Sequence, residues 1–179
     1  IDIHIKDAIG RTWQCGTIQL DMSLPERFDL SYIGQDNDKH RPVMIHRVVY
    51  GSIERFLGIL IEHFAGKFPL WMAPVQAVIL PINDSLTPFA ETVNAAFTGA
   101  GLRSKVDKRT ESLNKKVREA QLSKIPLIIT VGEKEKSAGT LSVRTLDGQV
   151  HYGVGQDLFI NAVLANVRER RLSLDIFES

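Results

Sequence analysis

The chain has 179 residues, 44% of them hydrophobic and 24% charged, with a formal net charge of +1. This is the composition of a globular protein with room for one ordinary domain, or a small domain plus a piece of another. It excludes three things: no apolar run reaches the ~18 residues of a membrane span, the N-terminus lacks the apolar stretch of a signal peptide, and Cys15, the only cysteine, allows no internal disulfide. A reducing cytosol fits the last point, and the absence of an initiator Met points to a chain cut from something longer. Ile1–Lys6 alternates apolar and polar residues like a strand. Trp13–Met22 reads as a second strand, with Trp13, Cys15, Thr17 and Gln19 on one face and Ile18, Leu20 and Met22 on the other. Val43–Val49 is a third. Gly51 then allows a tight turn and Ser52 can cap a helix in which Ile53, Phe56, Leu57, Leu60, Ile61 and Phe64 form one apolar face.

Gly66–Pro74, with a glycine and two prolines, is the natural break. Beyond it the pattern predicts a strand at Val75–Leu80, a helix at Pro88–Ala100, a strand at Leu102–Asp107 and a basic helix at Leu113–Ser123. The strongest strand follows at Leu127–Val131, then a turn over Gly132–Gly139, a strand at Leu141–Thr145, a turn at Asp147-Gly148 and a last helix at Asp157–Arg171. Alternating strands and helices of this kind predict a mixed or parallel sheet covered by helices. Eight basic residues and three acidic ones lie between Arg103 and Lys124, a local excess of +5 on a near-neutral chain. Such a segment suits a polyanion contacted on one side, or it is simply a solvated charged face.

The chemistry centres on Arg55, in the first turn of the helix that Ser52 opens. Free backbone N–H groups and the helix dipole favour an anion there, and a guanidinium adds a forked donor. Glu54 beside it can orient that guanidinium; alternatively the two form an ordinary surface pair. A strand, a small-residue turn, Glu54-Arg55 and then an apolar helix together resemble motif 3 of the class II aminoacyl-tRNA synthetases. Arg41-Pro42-Val43-Met44-Ile45-His46-Arg47, the run from Trp13 to Asp21 and its continuation Leu24–Leu30 resemble the threonyl-tRNA synthetase family in particular. So do Phe68-Pro69-Leu70-Trp71 and Ala73-Pro74-Val75-Gln76, so that the resemblance covers nearly the whole chain.

What the resemblance implies is specific. The fold class is α/β: residues 1–73 are the end of a class II catalytic domain, an α+β remnant of its antiparallel sheet, and residues 74–179 are a mixed-sheet anticodon-binding domain. The activity is ATP-dependent attachment of threonine to its tRNA through a threonyl-adenylate, with magnesium accompanying ATP. Arg55 and Gln19 match catalytic positions, Gln14, Thr17, Ser52 and Arg55 match the ATP side, and His46 matches the last of three ligands of a zinc ion that binds threonine. Gln14 and Gln19 would point to opposite faces of a regular strand, so both reach one cleft only if Gly16 marks a bulge or bend. Arg118, Lys124, Glu135 and Arg144 fall at anticodon positions, whereas Thr110 departs from the family's Asn and Lys124 from its usual Arg. The family's motifs 1 and 2, two zinc ligands and editing domain have no counterpart here. The 179-residue chain is therefore expected to be inactive alone, with dimerisation of the whole enzyme through a segment outside it and a cytoplasmic location. The alternative is a non-catalytic, synthetase-derived RNA-binding module; the retained Gln19, His46, Ser52 and Arg55 argue against it. His4, His40 and His151 lack metal spacing, His63 beside Glu62 on the helix is expected to serve packing or a surface bond, and Trp13 and Trp71 are expected to serve packing.

Overall fold

The computed structural model describes residues 1–177. It divides into two compact units, Ile1–Ala65 and Gly66–Ser179, the division falling at the start of the Gly66–Pro74 stretch.

In the first unit, β1 (Asp2–Lys6) and β2 (Thr12–Asp21) are followed by a short helix α1 (Ser23–Arg27) and two two-residue strands, β3 (Tyr32–Ile33) and β4 (Lys39–His40). Then come β5 (Met44–Val48) and α2 (Ile53–His63). β1, β2 and β5 form an antiparallel sheet in the order β1-β2-β5, while β3 and β4 pair only with each other. The β1–β2 register shifts between Ile3, opposite Gly16, and His4, opposite Gln14, which leaves Cys15 as an extra residue on β2. A bulge of this kind resets the two-residue alternation. Trp13 therefore leaves β2 on the face opposite to Thr17 and Gln19, not on the same face as the bare sequence pattern suggests. Gly51 holds two constraints at once: its φ is +66°, and a Cβ there would lie 2.7 Å from the Cys15 carbonyl oxygen. Ser52 caps α2 by accepting from the Arg55 amide at 3.3 Å. No residue of α2 is buried, and Ile53, Leu57 and Ile61 on its apolar face stand about half exposed or more.

The second unit holds β6 (Ala77–Pro81), a single 3-10 turn at Asp84–Leu86, α3 (Thr87–Gly99), β7 (Ser104–Val106) and α4 (Leu113–Leu122). It continues with β8 (Leu127–Val131), α5 (Glu133–Ala138), β9 (Thr140–Thr145), β10 (Val150–Gly155) and α6 (Gln156–Arg168). The sheet order is β10-β9-β8-β6-β7; β6 runs parallel to β7 and β8, and β9 is antiparallel to β8 and β10. This is the expected mixed sheet. Every residue of β6 is buried because helices cover both faces of a parallel centre. One face, with Ile79, Leu127, Ile129 and Val143, packs against Val93 and Phe97 of α3 and Phe159 and Val163 of α6. The other, with Val78, Leu80 and Ile128, packs against Ala120 of α4 and Ile125.

The sequence expectation lacks α1, β3 and β4 of the first unit, and two elements of the second unit differ from it. Gly132–Gly139, read as a turn, contains the helix α5. Its six residues carry no apolar period; the helix is held by its ends, with the Glu135 carboxylate accepting from the Gly132 amide at 2.9 Å and Gly139 closing it at φ +65°. β10 follows the expected turn at Asp147-Gly148, but Gly153 and Gly155 and a register break between His151 and Val154 hide its alternation.

Candidate functional sites

In the first unit the bulge at Cys15 gathers side chains that a regular strand would separate. Asp2 lies opposite Thr17, and its carboxylate accepts from both Thr17 Oγ1 at 2.5 Å and Gln14 Nε2 at 2.6 Å. Gln14 and Thr17 thus share a face. Gln19 and Asp21 continue it at two-residue spacing, and His46 stands directly opposite Gln19 on β5. Asp2, Gln14, Thr17 and Gln19 line a groove of about 560 Å³. His46 is half-buried, with Nε2 held 2.9 Å from Asp21 Oδ2. Hydrogen bonds from the Leu24 amide and from His46 hold the Asp21 carboxyl below its ordinary range.

Ser52 and Arg55 open α2. Ser52 donates to Glu54 at 2.9 Å, so Glu54 is turned to its cap and not, as expected, to the Arg55 guanidinium. Arg55 is exposed and its guanidinium lies 5.1 Å from the centre of the Trp13 ring. It makes no side-chain hydrogen bond or ion pair among the described residues, so its N–H fork is free. Trp13 therefore does more than pack. Its indole donates to Asp7 at 2.9 Å, and this bond, opposed by burial and helped by Arg11, draws the Asp7 carboxyl down to about 2. The structure brings Gln14, Thr17, Gln19 and His46 together on one sheet face; Arg55 rests over a ring that leaves the other.

In the second unit α4 covers β6 and β8, while the same face of the sheet continues past it onto β9. There Ser142 stands opposite Thr130, and Arg144 opposite Ile128. Arg144 is half-buried and donates from Nη1 to the Gly148 carbonyl at 3.0 Å. Glu135 accepts from Ser142 Oγ at 2.7 Å through its second oxygen. Burial opposes ionisation of Glu135, but hydrogen bonds from Ser142 and Gly132 outweigh it and keep its carboxyl below the ordinary range. Arg118 is exposed on α4, and its side chain makes no hydrogen bond or ion pair among the described residues. Lys124 is exposed just past α4 in a left-handed conformation, φ +55°. Thr110 is exposed in the β7–α4 loop. Three of the eight basic residues between Arg103 and Lys124 are ion-paired, and of their acidic partners Glu91 alone lies outside the segment. Arg109 bridges Asp107 and Glu119, Lys115 pairs with Glu111, and Lys108 pairs with Glu91.

Residues 1–64 match the family described as tRNA synthetase class II core domain (G, H, P, S and T), and residues 76–166 match the Anticodon binding domain family. Threonine--tRNA ligase of Desulforapulum autotrophicum is 69% identical over 98% of this chain. The chain belongs to the threonyl-tRNA synthetase family. The Thermotoga neapolitana threonine--tRNA ligase is 49% identical over 98% of the chain. The crystal structure of the RNA binding domain of threonyl-tRNA synthetase from Cryptosporidium parvum Iowa II aligns with a TM-score of 0.80 at 34% identity, covering 92% of this chain and 42% of that one. The chain spans 28% of the length of each of these two ligases.

Against the family's zinc the residues fit in one respect. Among the described residues no cluster of three His, Cys, Asp or Glu side chains could hold a metal, so His46 could supply at most one donor. Its ring is oriented as a ligand's should be, one nitrogen on a carboxylate and the other left for the metal. Asp21 was missed by the sequence reading, although its place two residues beyond Gln19 puts it on the same face of β2. Asp2 and Ser142 were missed because each acts through a strand register that residue types alone do not reveal, and Asp7 because its contacts depend on the folded β1–β2 connection. No helix among the described residues is long and apolar enough to cross a membrane.

Proposed function

We propose that this chain is the C-terminal part of a threonine--tRNA ligase, which joins threonine to its tRNA with ATP through a threonyl-adenylate. Residues 1–73 complete the catalytic domain and residues 74–179 bind the anticodon. The observation that carries the reading is the shared face of Gln14, Thr17, Gln19 and His46, produced by the bulge at Cys15. On that face Gln14 and Thr17 serve the ATP side and Gln19 the threonine side. Asp2 orients the first two by accepting from both. Ser52 fixes the start of α2, and the free fork of Arg55 serves the nucleotide that enters with magnesium. His46 contributes one of three zinc ligands. Zinc, when bound, supplies a Lewis-acidic centre for the amino and hydroxyl groups of threonine, which distinguishes it from valine.

In the second unit, the partner is the anticodon loop of the threonine tRNA, whose single-stranded bases can be read on their edges. Arg144 keeps donors beyond the one spent on Gly148. Glu135 accepts two hydrogen bonds from the protein and retains lone pairs for a base amine. Arg118 and Lys124 supply free cations for base edges or phosphates. The whole enzyme acts in the cytoplasm as a homodimer, through a segment outside this chain.

In the full-length ligase, Arg55→Ala should lower kcat/KM for ATP–pyrophosphate exchange at least a hundredfold. Arg144→Ala should leave that exchange intact and lower only the transfer to tRNA. Equal losses in both assays for both variants would overturn the division of labour.

A further inference from the structure

A groove between β7 and α4 encloses about 600 Å³ and is lined by Lys105, Lys108, Arg109 and Lys116, with Asp107 and Glu119. Both of those carboxylates are turned to Arg109, each at 2.6 Å. Lys108 is taken by Glu91. Two cations keep donors to spare. Lys105 is exposed and makes no side-chain hydrogen bond or ion pair among the described residues; it stands opposite Val78, on the face that α4 covers. Lys116 is only 4% exposed, yet its ammonium has three donors and one acceptor, the Asp107 carbonyl at 3.1 Å. The charge of the Asp107 carboxylate in the same groove offsets part of this burial, and the donors that Lys116 leaves unspent are open to an anion arriving in the groove. Lys105 also borders a neighbouring cavity of about 230 Å³ shared with Lys124.

We infer that this groove is a phosphate site that takes a backbone phosphodiester of tRNA, held by Lys105 and Lys116 on the side of α4 away from Arg144. The site rests on the tRNA reading above and extends it from base edges to the backbone. Lysine suits the task, because a compact point charge binds phosphate without demanding one geometry. The sheet order separates β7 from β9 by three strand spacings, about 14 Å. Arg118, exposed on α4, lies on the helix between them. A hairpin loop draped across α4 therefore presents bases to β9 and phosphates to β7.

The test is binding of the 179-residue chain to threonine tRNA and to a control tRNA at 50 and 200 mM salt. The variants are Lys105→Gln, with Lys108→Gln as an ion-paired control in the same groove. Lys105→Gln should weaken binding about three- to tenfold for both tRNAs and reduce the slope of log K against log salt by about one. Lys108→Gln should stay within twofold of the unaltered chain. Unchanged affinity and slope in Lys105→Gln, or equal losses in both variants, overturn the inference. If Arg144→Ala abolishes selectivity while Lys105→Gln changes nothing, the anticodon reading stands and the groove falls alone. If the unaltered chain binds neither tRNA, both fall.

Discussion

Glu135 carries two duties, and replacing it with Gln removes the charge that serves both. Its carboxylate closes the N-terminus of α5 through the Gly132 amide at 2.9 Å and ties α5 to β9 through Ser142 at 2.7 Å. An N-terminal capping bond contributes about 0.5–2 kcal/mol, and a hydrogen bond to an ionised group about 1.5–3 kcal/mol. Glutamine keeps an oxygen for the Gly132 amide and can turn its NH₂ to the Ser142 hydroxyl, which also accepts, so both contacts become neutral hydrogen bonds; the lost charge assistance costs about 1–2 kcal/mol, or roughly 5–10 °C in the melting midpoint of a unit this size. Ser142→Ala removes one of the same bonds, so the two changes should be non-additive, with a coupling of about 1 kcal/mol in a double-mutant cycle. Urea unfolding of the chain followed by circular dichroism measures all four corners. A Glu135→Gln variant with the wild-type midpoint and no coupling to Ser142 would refute the claim that this carboxylate holds α5. A loss of tRNA binding in any Glu135 variant must therefore be accompanied by evidence that α5 is intact.

Three further outcomes follow from the first unit. Gly51→Ala forces a Cβ into a left-handed residue 2.7 Å from the Cys15 carbonyl. It should destabilise the β2–β5 region by roughly 2–4 kcal/mol, seen as faster hydrogen exchange of β2 amides; unchanged protection would contradict the close approach. Asp21→Ala leaves the His46 ring without its carboxylate and should lower zinc retention by the full-length ligase about 10- to 100-fold, whereas unchanged zinc content would remove Asp21 from the site. The Asp7 carboxyl titrates at about 2 in the folded chain against an ordinary 3.8, so its contribution is complete above pH 4 and is lost as pH falls from 4 toward 2. Asp7→Asn should flatten that part of the stability profile, measured as urea midpoint against pH; an unaltered acid limb would count against it.

How far the sequence foretold this arrangement depended on whether each feature was local. β8 and β6 were legible because strands buried almost throughout are nearly continuous apolar runs, and α2 because six apolar residues share one helical face. α5 was not, since Glu133-Lys134-Glu135-Lys136-Ser137-Ala138 has no apolar period and owes its helix to capping contacts, one of which reaches β9. The side of β2 on which Trp13 lies was misread for a related reason: the bulge at Cys15 exists only in the pairing with β1. That same bulge resolves how Gln14 and Gln19 can face one cleft. The positions of Arg118, Lys124, Glu135 and Arg144 came from resemblance, because exposed or half-buried polar residues leave no periodic trace. The division of the +5 segment into paired cations and the free Lys105, Arg118 and Lys124 required the folded partners Glu91, Glu111 and Glu119.

The most direct test of the central claim is equilibrium binding of the 179-residue chain to unmodified threonine tRNA, with proline tRNA as control. The account expects at least tenfold preference for the threonine tRNA, lost in Arg144→Ala while the fold is retained. Equal affinity for both tRNAs, or a preference indifferent to Arg144, would contradict it.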